Sequence, residues 1–278
     1  MDLIWRIPLY LVGCAAFLAA LWLLMLCAKR KKRDFYGLLG TDFAHRGLHD
    51  KENGVPENSL AAFRLAVENG YGAELDVHLT KDHELVVMHD ESLKRTAGAD
   101  VKICDLTLRE LEEYRLDGTQ EKIPRLEEVL ELFAGKQPLV VEIKTWKANY
   151  AEITRRTCEL LDRYPDLRFC MESFDPRVLL WLRRHRPEIV RGLLSFNFFK
   201  DHNGQPAATV FIMSNLLVNF LVFPHFVAFK NEDRDILSFR LCRKLWGVQE
   251  VNWTVRDSRI ARAAKEDGRV VIFEHCRP

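Results

Sequence analysis

Short apolar runs alternate with longer segments of helical periodicity over most of this chain, and the alternation limits the folds available to it. Apolar runs predict strands at residues 41–45, 72–77, 84–89, 139–144, 168–173, 190–195, 226–229, 249–255 and 269–274. Helical patterns predict helices at residues 58–69, 107–116, 125–134, 148–163, 176–185 and 257–266. Such alternation is typical of an α/β protein with a parallel sheet, and a length of 278 residues favours a (β/α)8 TIM-type barrel over an open doubly wound sheet.

One part of this pattern does not fit a regular barrel. Nine candidate strands compete for eight places, so one of them is not a barrel strand. The gap between Val77 and Glu84 is also too short for a crossover helix, because parallel strands need a connection of about a dozen residues. We therefore expect the barrel to be irregular at this corner.

The amino-terminal part of the chain has a different composition. Residues 7–27 contain no charged side chain, and a helix of this length, at about 1.5 Å per residue, spans roughly 30 Å, enough to cross a bilayer. A cleaved signal peptide is the alternative, but its apolar region would be shorter, and here five basic residues follow at positions 29–33. The sequence predicts a single transmembrane anchor at residues 1–28, a basic stop and linker at residues 29–40, and a barrel domain at residues 41–278.

Charge and cysteine content narrow the location and the partners. Arg6 is the only basic residue before the apolar run, so the positive-inside rule predicts a single-pass protein of the cell membrane with a cytoplasmic catalytic domain. The net charge of +1 argues against nucleic acid as a partner, because such binding needs a basic excess. The seven cysteines show neither close pairs nor metal-ligand spacing, which argues against disulfides and a zinc cluster.

Charged side chains occur at a period of two on predicted strands that are otherwise apolar. Glu74 and Asp76 share one face of their strand, and so do Glu142 and Lys144. Charges are rarely buried without a partner or a metal, so we interpret both pairs as parts of a site inside the barrel. Three carboxylates with no cysteine nearby form an all-oxygen ligand set, which suits a hard divalent cation such as Mg²⁺ or Ca²⁺.

Two histidines end predicted strands near these acids. His45 and His89 close the runs at residues 41–45 and 84–89, which places them at the rim of a barrel, where active sites form. Two imidazoles suit the cleavage of a phosphodiester, because one proton must leave the nucleophile and another must reach the leaving alkoxide. Arg46 and Lys144 offer positive charge that holds a phosphate.

In their order along the chain, these residues resemble the glycerophosphodiester phosphodiesterases, relatives of the phosphatidylinositol-specific phospholipase C-like barrels. The resemblance covers essentially everything after residue 40 and rests on the motifs His45-Arg46-Gly47, Pro56-Glu57-Asn58-Ser59, Glu74-Leu75-Asp76-Val77, His89-Asp90, Arg95-Thr96, Glu142-Ile143-Lys144, Ser173-Phe174-Asp175 and Trp253-Thr254-Val255. It implies a TIM-type barrel that hydrolyses glycerophosphodiesters to glycerol 3-phosphate and an alcohol.

The resemblance also implies a role for each matching residue. The metal ligands are Glu74, Asp76 and Glu142, the acid and base are His45 and His89, the phosphate contacts are Arg46 and Lys144, and further site residues are Glu57, Asn58 and Trp253. For Trp253, a core aromatic on a strand is an equally good interpretation. The chain departs from the family at its end, where a Thr-Asp pair is common and Glu274-His275 follows the last apolar run. The residues do not decide whether water or a substrate hydroxyl attacks first.

The apolar segment at residues 207–229 bears on whether the substrate is a lipid, which the sequence does not decide. They contain no formally charged side chain and are rich in Phe, Leu and Val, so we interpret them as an element at the membrane interface or beside the barrel mouth. Barrel core, a dimer contact and a second membrane crossing are alternatives, and the sequence does not indicate an oligomeric state. The predicted anchor and this segment raise an alternative function, lysophospholipase D-type hydrolysis of a lysophospholipid. A membrane-tethered binding module without activity is the remaining alternative.

Overall fold

The computed structural model describes residues 2–31, 37–201 and 204–278. The helices are α1 (Asp2–Met25), α2 (Leu60–Glu68), α3 (Lys94–Ala97), α4 (Leu108–Leu111), α5 (Leu126–Phe133), α6 (Tyr150–Leu161), α7 (Pro176–His185), α8 (Ala207–Ser214), α9 (Asn219–Val222), α10 (Leu237–Leu241) and α11 (Ser258–Glu266). The strands are β1 (Asp42–Ala44), β2 (Gly72–Leu79), β3 (Leu85–Val87), β4 (Leu139–Ile143), β5 (Phe169–Ser173), β6 (Arg191–Ser195), β7 (Phe226–Lys230), β8 (Gln249–Val255) and β9 (Val270–Phe273). Single 3₁₀ turns lie at Lys51–Asn53, Ile103–Asp105 and Asn231–Asp233, and a π-helical turn lies at Cys242–Trp246.

Eight of these strands form a closed parallel barrel. Neighbouring strands follow the order β1-β9-β8-β7-β6-β5-β4-β2, and β1 pairs with β2 to close the ring. Every pairing within the ring is parallel, and helices connect its strands. The predicted (β/α)8 TIM-type barrel is confirmed.

The strand outside the ring is β3. It pairs antiparallel with the end of β2, with Val77 opposite Val87 and Leu79 opposite Leu85. The short connection between the two strands permits a hairpin but no crossover helix. The irregular corner expected from the sequence lies here, and the candidate strand at residues 84–89 is the one that does not belong to the barrel.

Apolar side chains fill the lower part of the barrel interior. Phe43, Val140, Phe226 and Ile272 belong to this inner cluster, which is separate from the larger core between strands and helices. Gly192 on β6 is required in this cluster, because a Cβ atom at its position would overlap the buried ring of Phe226. The charged residues of β2 and β4 lie further along their strands, towards the carboxyl-terminal end of the barrel.

Two capping residues fix where helices leave this end of the barrel. The Ala62 backbone N–H donates to the Ser59 hydroxyl over 3.1 Å, which begins α2 close to its predicted start at residue 58. Asp175 accepts a hydrogen bond from the Arg177 backbone, and Pro176 occupies the first position of α7. These caps therefore fix the residues at which α2 and α7 begin.

The helix α1 occupies the place of the predicted transmembrane anchor. Across the described ranges, however, no helix combines the length and apolarity needed to cross a membrane, so that prediction is not confirmed. After α1 the chain packs on the barrel, since Leu26 and Ala28 are buried and the Lys29 backbone N–H donates to the Pro224 carbonyl over 2.9 Å. Residues 32–36, in the predicted basic stop and linker, lie outside the described residues. The boundaries at residues 28 and 40 stay predictions.

The apolar segment at residues 207–229 forms three elements. Its last part enters β7, a barrel strand, whereas α8 and α9 lie between β6 and β7 along the chain. Phe211 and Ile212 on α8 are 54% and 39% exposed, and Phe220 and Leu221 on α9 are 41% and 46% exposed. The segment thus contributes both to the barrel core and to an exposed apolar surface.

Candidate active site

Three carboxylates meet inside the barrel where β2 and β4 run side by side. Asp76 lies opposite Glu142 in the register of the two strands, and Glu74 lies on the same face of β2, two residues earlier. All three acids are buried, and each offers an oxygen atom within 4.8 Å of the others. The three predicted metal ligands are therefore brought together as a candidate site for a divalent cation.

Burial and mutual repulsion control the protonation of these acids. Burial and the charges of Asp76 and Glu142 hold the pKa of Glu74 well above its usual value. Burial raises the pKa of Glu142 also. Burial opposes the ionisation of Asp76 too, but Lys144 overcomes it and holds the pKa of Asp76 well below its usual value. The carboxylates of the site therefore offer more negative charge than the neighbouring cations neutralise. A bound divalent cation would neutralise the remainder.

The turn after β1 brings Arg46 to these acids. The φ angles of Arg46 and Gly47 are 55° and 81°. A Cβ atom at Gly47 would lie 2.8 Å from the Cβ atom of Ala62, so the turn fits against α2 only with glycine at this position. The backbone N–H of Arg46 then donates to Oε2 of Glu74 over 3.1 Å, and its guanidinium donates to Oε1 of Glu57 over 2.8 Å.

Asp76 is the most heavily contacted of the three acids. The Nζ atom of Lys144 lies 2.9 Å from Oδ1 of Asp76 and 2.7 Å from Oε1 of Glu142. The Asn58 amide donates to Oδ2 of Asp76 over 2.9 Å, and Nε of Arg46 lies 3.7 Å from the same oxygen. Both predicted phosphate contacts thus lie beside the acids, and Asn58 orients Asp76. The functional roles of these three residues stay predictions.

His45 follows β1 and points one ring nitrogen at the acids. Its Nδ1 atom donates to Oε1 of Glu274 over 3.0 Å, and its Nε2 atom lies 4.0 Å from Oε2 of Glu74. Burial lowers the pKa of His45, and the hydrogen bond with Glu274 partly reverses this effect. With Nδ1 bound to Glu274, Nε2 is the nitrogen left for proton transfer.

His89 also has a carboxylate on its Nδ1 atom. It pairs with Asp90 over 2.7 Å, and Arg95 donates to the other oxygen of Asp90 over 2.6 Å. The two terminal nitrogens of Arg95 donate to Glu57 over 2.8 and 2.6 Å, and Glu57 also accepts from Arg46. A continuous chain of charge-assisted hydrogen bonds therefore joins the predicted acid–base residue His89 to the predicted phosphate contact Arg46.

Sequence reasoning assigned no role to Glu274, Asp90, Arg95 or His78. The period of two that selected Glu74 and Asp76 also indicates His78, the next residue on that face of β2. Its Nε2 atom donates to the backbone oxygen of His89 over 3.2 Å. Burial lowers the pKa of His78 to about 4, so this ring is neutral near pH 7 and holds the loop that positions His89.

A fourth acid, Glu172, lies beside the three carboxylates. It is opposite Glu142 in the register of β4 and β5, and it is 1% exposed. Its Oε2 atom has no hydrogen-bond partner among the described residues. Burial and the charge of Glu142 hold the pKa of Glu172 well above its usual value. The sequence signal for Glu172 is the same as for Glu142, a charged residue in an otherwise apolar strand. Glu172 is not part of the motifs that carry the family resemblance.

A cavity of about 880 Å³ opens beside the acids. His89, Glu142 and Lys144 line one part of it. Its other part is lined mainly by apolar side chains: Phe174, Phe196, Phe198, Ile212, Met213 and Val218. The ring of Trp253 lies behind this wall, 5.7 Å from that of Phe174, and its Nε1 atom donates to the Ala228 carbonyl over 3.0 Å.

Comparison with known proteins agrees with this geometry. The model of the glycerophosphoryl diester phosphodiesterase family matches residues 45–272. A glycerophosphodiester phosphodiesterase of Caldanaerobacter subterraneus subsp. tengcongensis is 40% identical over 162 residues, which are 54% of this chain and 65% of that protein. Lysophospholipase D GDPD1 of Homo sapiens is 37% identical over 149 residues, 49% of this chain and 44% of that protein. This chain therefore spans less than two thirds of the length of both relatives.

Solved structures resemble the barrel over most of its length. A phosphodiesterase from Oleispira antarctica, in complex with the product sn-glycerol-3-phosphate, has a TM-score of 0.69 and 26% identity, with 86% of this chain and 94% of that chain covered. A glycerophosphodiester phosphodiesterase from Thermotoga maritima has a TM-score of 0.62 and 28% identity, with 83% of this chain and 92% of that chain covered.

Proposed function

Because the chain belongs to the glycerophosphoryl diester phosphodiesterase family, we propose that it hydrolyses glycerophosphodiesters to glycerol 3-phosphate and an alcohol. The observation on which this proposal rests is the pairing of two histidines with carboxylates at one cluster of acids. His45 is bound by Glu274 and His89 by Asp90, each through Nδ1. This arrangement leaves two Nε2 atoms for proton transfer at a site that also contains two cations.

The reaction needs one proton removed and one delivered. The P–O bond to the alcohol breaks and a new P–O bond to the attacking oxygen forms. One imidazole takes the proton of the attacking hydroxyl, and the other gives a proton to the departing alkoxide. Glu274 stabilises the positive form of the His45 ring. Glu274 and Asp90 each hold their histidine in the tautomer in which Nε2 is free in the neutral form.

Arg46 and Lys144 fit the binding of the phosphodiester. Lys144 is buried, and the negative charges of Asp76 and Glu142 raise its pKa against the effect of burial, so it stays protonated. Glu57 and Arg95 fix the guanidinium of Arg46 in one orientation before substrate binds. Two fixed cations beside the phosphate stabilise the charge that develops on its oxygens in the transition state.

Glu74, Asp76 and Glu142 fit a divalent cation, Mg²⁺ or Ca²⁺, because all three offer oxygen ligands and their charge is incompletely compensated. When bound, such an ion polarises a phosphoryl oxygen and neutralises charge on it. Glu172, with an oxygen that lacks a partner, adds to the negative potential at this position.

We place the protein at the cytoplasmic face of the cell membrane. The support is the run of five basic residues at positions 29–33 and the exposed apolar side chains of α1, such as Leu11, Phe17 and Leu18, which are 66%, 67% and 62% exposed. Fractionation of cells that express the full chain tests this location. Recovery in the soluble fraction would contradict it.

The test of the activity uses the purified full chain with glycerophosphocholine and glycerophosphoglycerol. Glycerol 3-phosphate is the measured product, before and after EDTA, and after Mg²⁺ or Ca²⁺ is returned. We expect His45→Ala and His89→Ala each to lower kcat by about 10² to 10⁴. His83→Ala is the matched control, because His83 is 55% exposed and pairs with Glu152. Activity that EDTA leaves unchanged would refute the role of the metal, and a folded protein without activity would favour a binding module.

A further inference from the structure

A second group of metal-ligating side chains lies at the rim of the barrel and does not include the three carboxylates of the candidate active site. It consists of His49, in the loop after β1, and of Glu274 and His275, which follow β9 directly. The pairing of β9 with β1 brings these two parts of the chain together. Each side chain offers one ligand atom, and the three atoms lie within 4.8 Å of one another. The proposed reaction uses Glu274 but neither of the two histidines.

The distances within this group, which we call the rim site, suit one shared ion. Nε2 of His49 lies 3.3 Å from Oε1 of Glu274, and Nε2 of His275 lies 3.8 Å from Oε2. The two imidazole rings meet edge to face, with their centroids 5.2 Å apart. Ligand bonds of about 2.0 to 2.2 Å separate neighbouring ligand atoms of a tetrahedral zinc site by roughly 3.4 Å. A small movement of His275 therefore brings all three side chains to bonding distance of one ion.

The rim site is open to solvent on one side, and its ligands differ in type from those of the candidate active site. The side chains of His49 and Glu274 are each 9% exposed, whereas that of His275 is 59% exposed, so an ion can enter past His275. Two imidazoles with one carboxylate favour a transition-metal ion such as Zn²⁺, whereas Mg²⁺ and Ca²⁺ prefer oxygen ligands alone. The two sites therefore select different ions.

We propose that His49, Glu274 and His275 bind a transition-metal ion such as Zn²⁺, and that the bound ion inhibits the enzyme. The inhibition rests on the proposed function, because Oε1 of Glu274 accepts the hydrogen bond from Nδ1 of His45. An ion on Glu274 withdraws negative charge from this contact and adds positive charge beside the ring. Protonation of His45 then becomes less favourable, so proton transfer at this residue slows.

Arg256 competes with the ion for Glu274. Its Nε atom donates to Oε2 of Glu274 over 2.8 Å, and its side chain is 56% exposed. A metal ion that binds this oxygen must displace the guanidinium or share the oxygen with it. In Arg256→Gln the affinity for Zn²⁺ should therefore rise about twofold to fivefold, the contribution of an exposed ion pair. Histidines that only fix the carboxylate of Glu274 would not give this result.

The binding experiment is equilibrium dialysis of the purified full chain against Zn²⁺ in an excess of Mg²⁺. In His275→Asn the affinity for Zn²⁺ should fall at least about tenfold. Asparagine tolerates the φ angle of 53° at this position, and His275→Gly, which tolerates it also, serves if His275→Asn does not fold.

His83→Asn is the matched control for the loss of an exposed histidine. The φ angle of His83 is 65°, and its side chain is 55% exposed and pairs with one glutamate, Glu152, outside both groups of metal-ligating residues. Its affinity for Zn²⁺ should equal that of the wild type.

The kinetic experiment adds Zn²⁺ to the protein supplied with Mg²⁺, with glycerophosphocholine as substrate. We expect saturating Zn²⁺ to lower kcat of the wild type at least about tenfold, as for the loss of support to an acid–base residue. His275→Asn should need at least about tenfold more Zn²⁺ than the wild type for half of this effect.

Three results would overturn parts of this proposal separately. Equal affinities for Zn²⁺ in the wild type, His275→Asn and His83→Asn, or no tighter binding in Arg256→Gln, would overturn the rim site. Binding of Zn²⁺ at the rim site without a fall in kcat would overturn the inhibition. A folded protein with Mg²⁺ that is inactive before Zn²⁺ is added would overturn the proposed function, and dialysis would still measure the rim site.

Discussion

Glu274 accepts a hydrogen bond from Nδ1 of His45 over 3.0 Å, although 229 positions separate the two residues in the chain. The contact exists because the last strand of the barrel, β9, pairs with the first, β1. Glu274 also lies within reach of His49 and Arg256, and these contacts fix its carboxylate. Closure of the barrel thus sets the orientation of an acid–base residue.

Replacement of Glu274 by glutamine tests this relationship. Glu274→Gln keeps the shape of the side chain but removes the charge that stabilises the protonated His45 ring, so kcat should fall about tenfold to a hundredfold with little change in KM. Glu274→Asp, which restores the charge, should recover part of the loss. Glu266→Gln, on the exposed side of α11, is the control. Equal kinetics for Glu274→Gln and the control would show that His45 does not depend on this carboxylate.

The sequence predicts those site residues that follow from local periodicity, and it misses those that depend on closure. Glu74 with Asp76, and Glu142 with Lys144, stand two positions apart on apolar strands, and this spacing alone places each pair on one face. Glu274 has no such signal, because its role depends on the neighbour of β9 in the ring. The sequence predicts an irregular corner after β2 but not the antiparallel pairing of β3 with β2. A short connection excludes a crossover helix, but it does not indicate which structure forms instead.

Arg95 is a positioning residue between the two halves of the site. It donates to Asp90, which orients His89, and to Glu57, which holds Arg46. Arg95→Lys keeps the charge but cannot bind both acids in the planar geometry of a guanidinium. We expect kcat to fall about tenfold or more, in steady-state assays on glycerophosphocholine.

Lys94→Ala is the control for this substitution, because Lys94 is the adjacent residue and its side chain is 71% exposed. Binding of the product glycerol 3-phosphate gives an independent readout, since it reports on Arg46 without catalysis. If Arg95→Lys behaves like Lys94→Ala in both measurements, the chain of hydrogen bonds has no functional role.

Glu57 should make stability depend on pH in the acidic range. Burial opposes its ionisation, but hydrogen bonds from Arg95 and the charge of Arg46 lower its pKa to about 2. The folded state thus binds fewer protons than the unfolded state between the two pKa values, so the stabilisation is complete above about pH 4.5 and is lost as the pH falls towards 2. Its size is up to about 3 kcal/mol.

Urea unfolding of the wild type and of Glu57→Gln at several pH values measures this contribution. The difference in free energy of unfolding between the two proteins should be largest above pH 5 and should shrink as the pH falls. A difference that stays constant over this range would mean that the ion pairs of Glu57 add no net stability.

Glu172 should have the opposite effect. Its pKa is held well above the usual value by burial and by Glu142, so the folded state keeps a proton that the unfolded state loses above about pH 4.5. Stability then falls as the pH rises, by up to about 1.4 kcal/mol per pH unit until the folded-state pKa is reached. Glu172→Gln removes this dependence. When EDTA is present, the free energy of unfolding of Glu172→Gln should therefore exceed that of the wild type by an amount that grows between pH 5 and pH 8. If the difference in free energy of unfolding between the two proteins stays constant over this range, Glu172 is ionised in the folded protein. Its charge is then compensated by groups other than a metal.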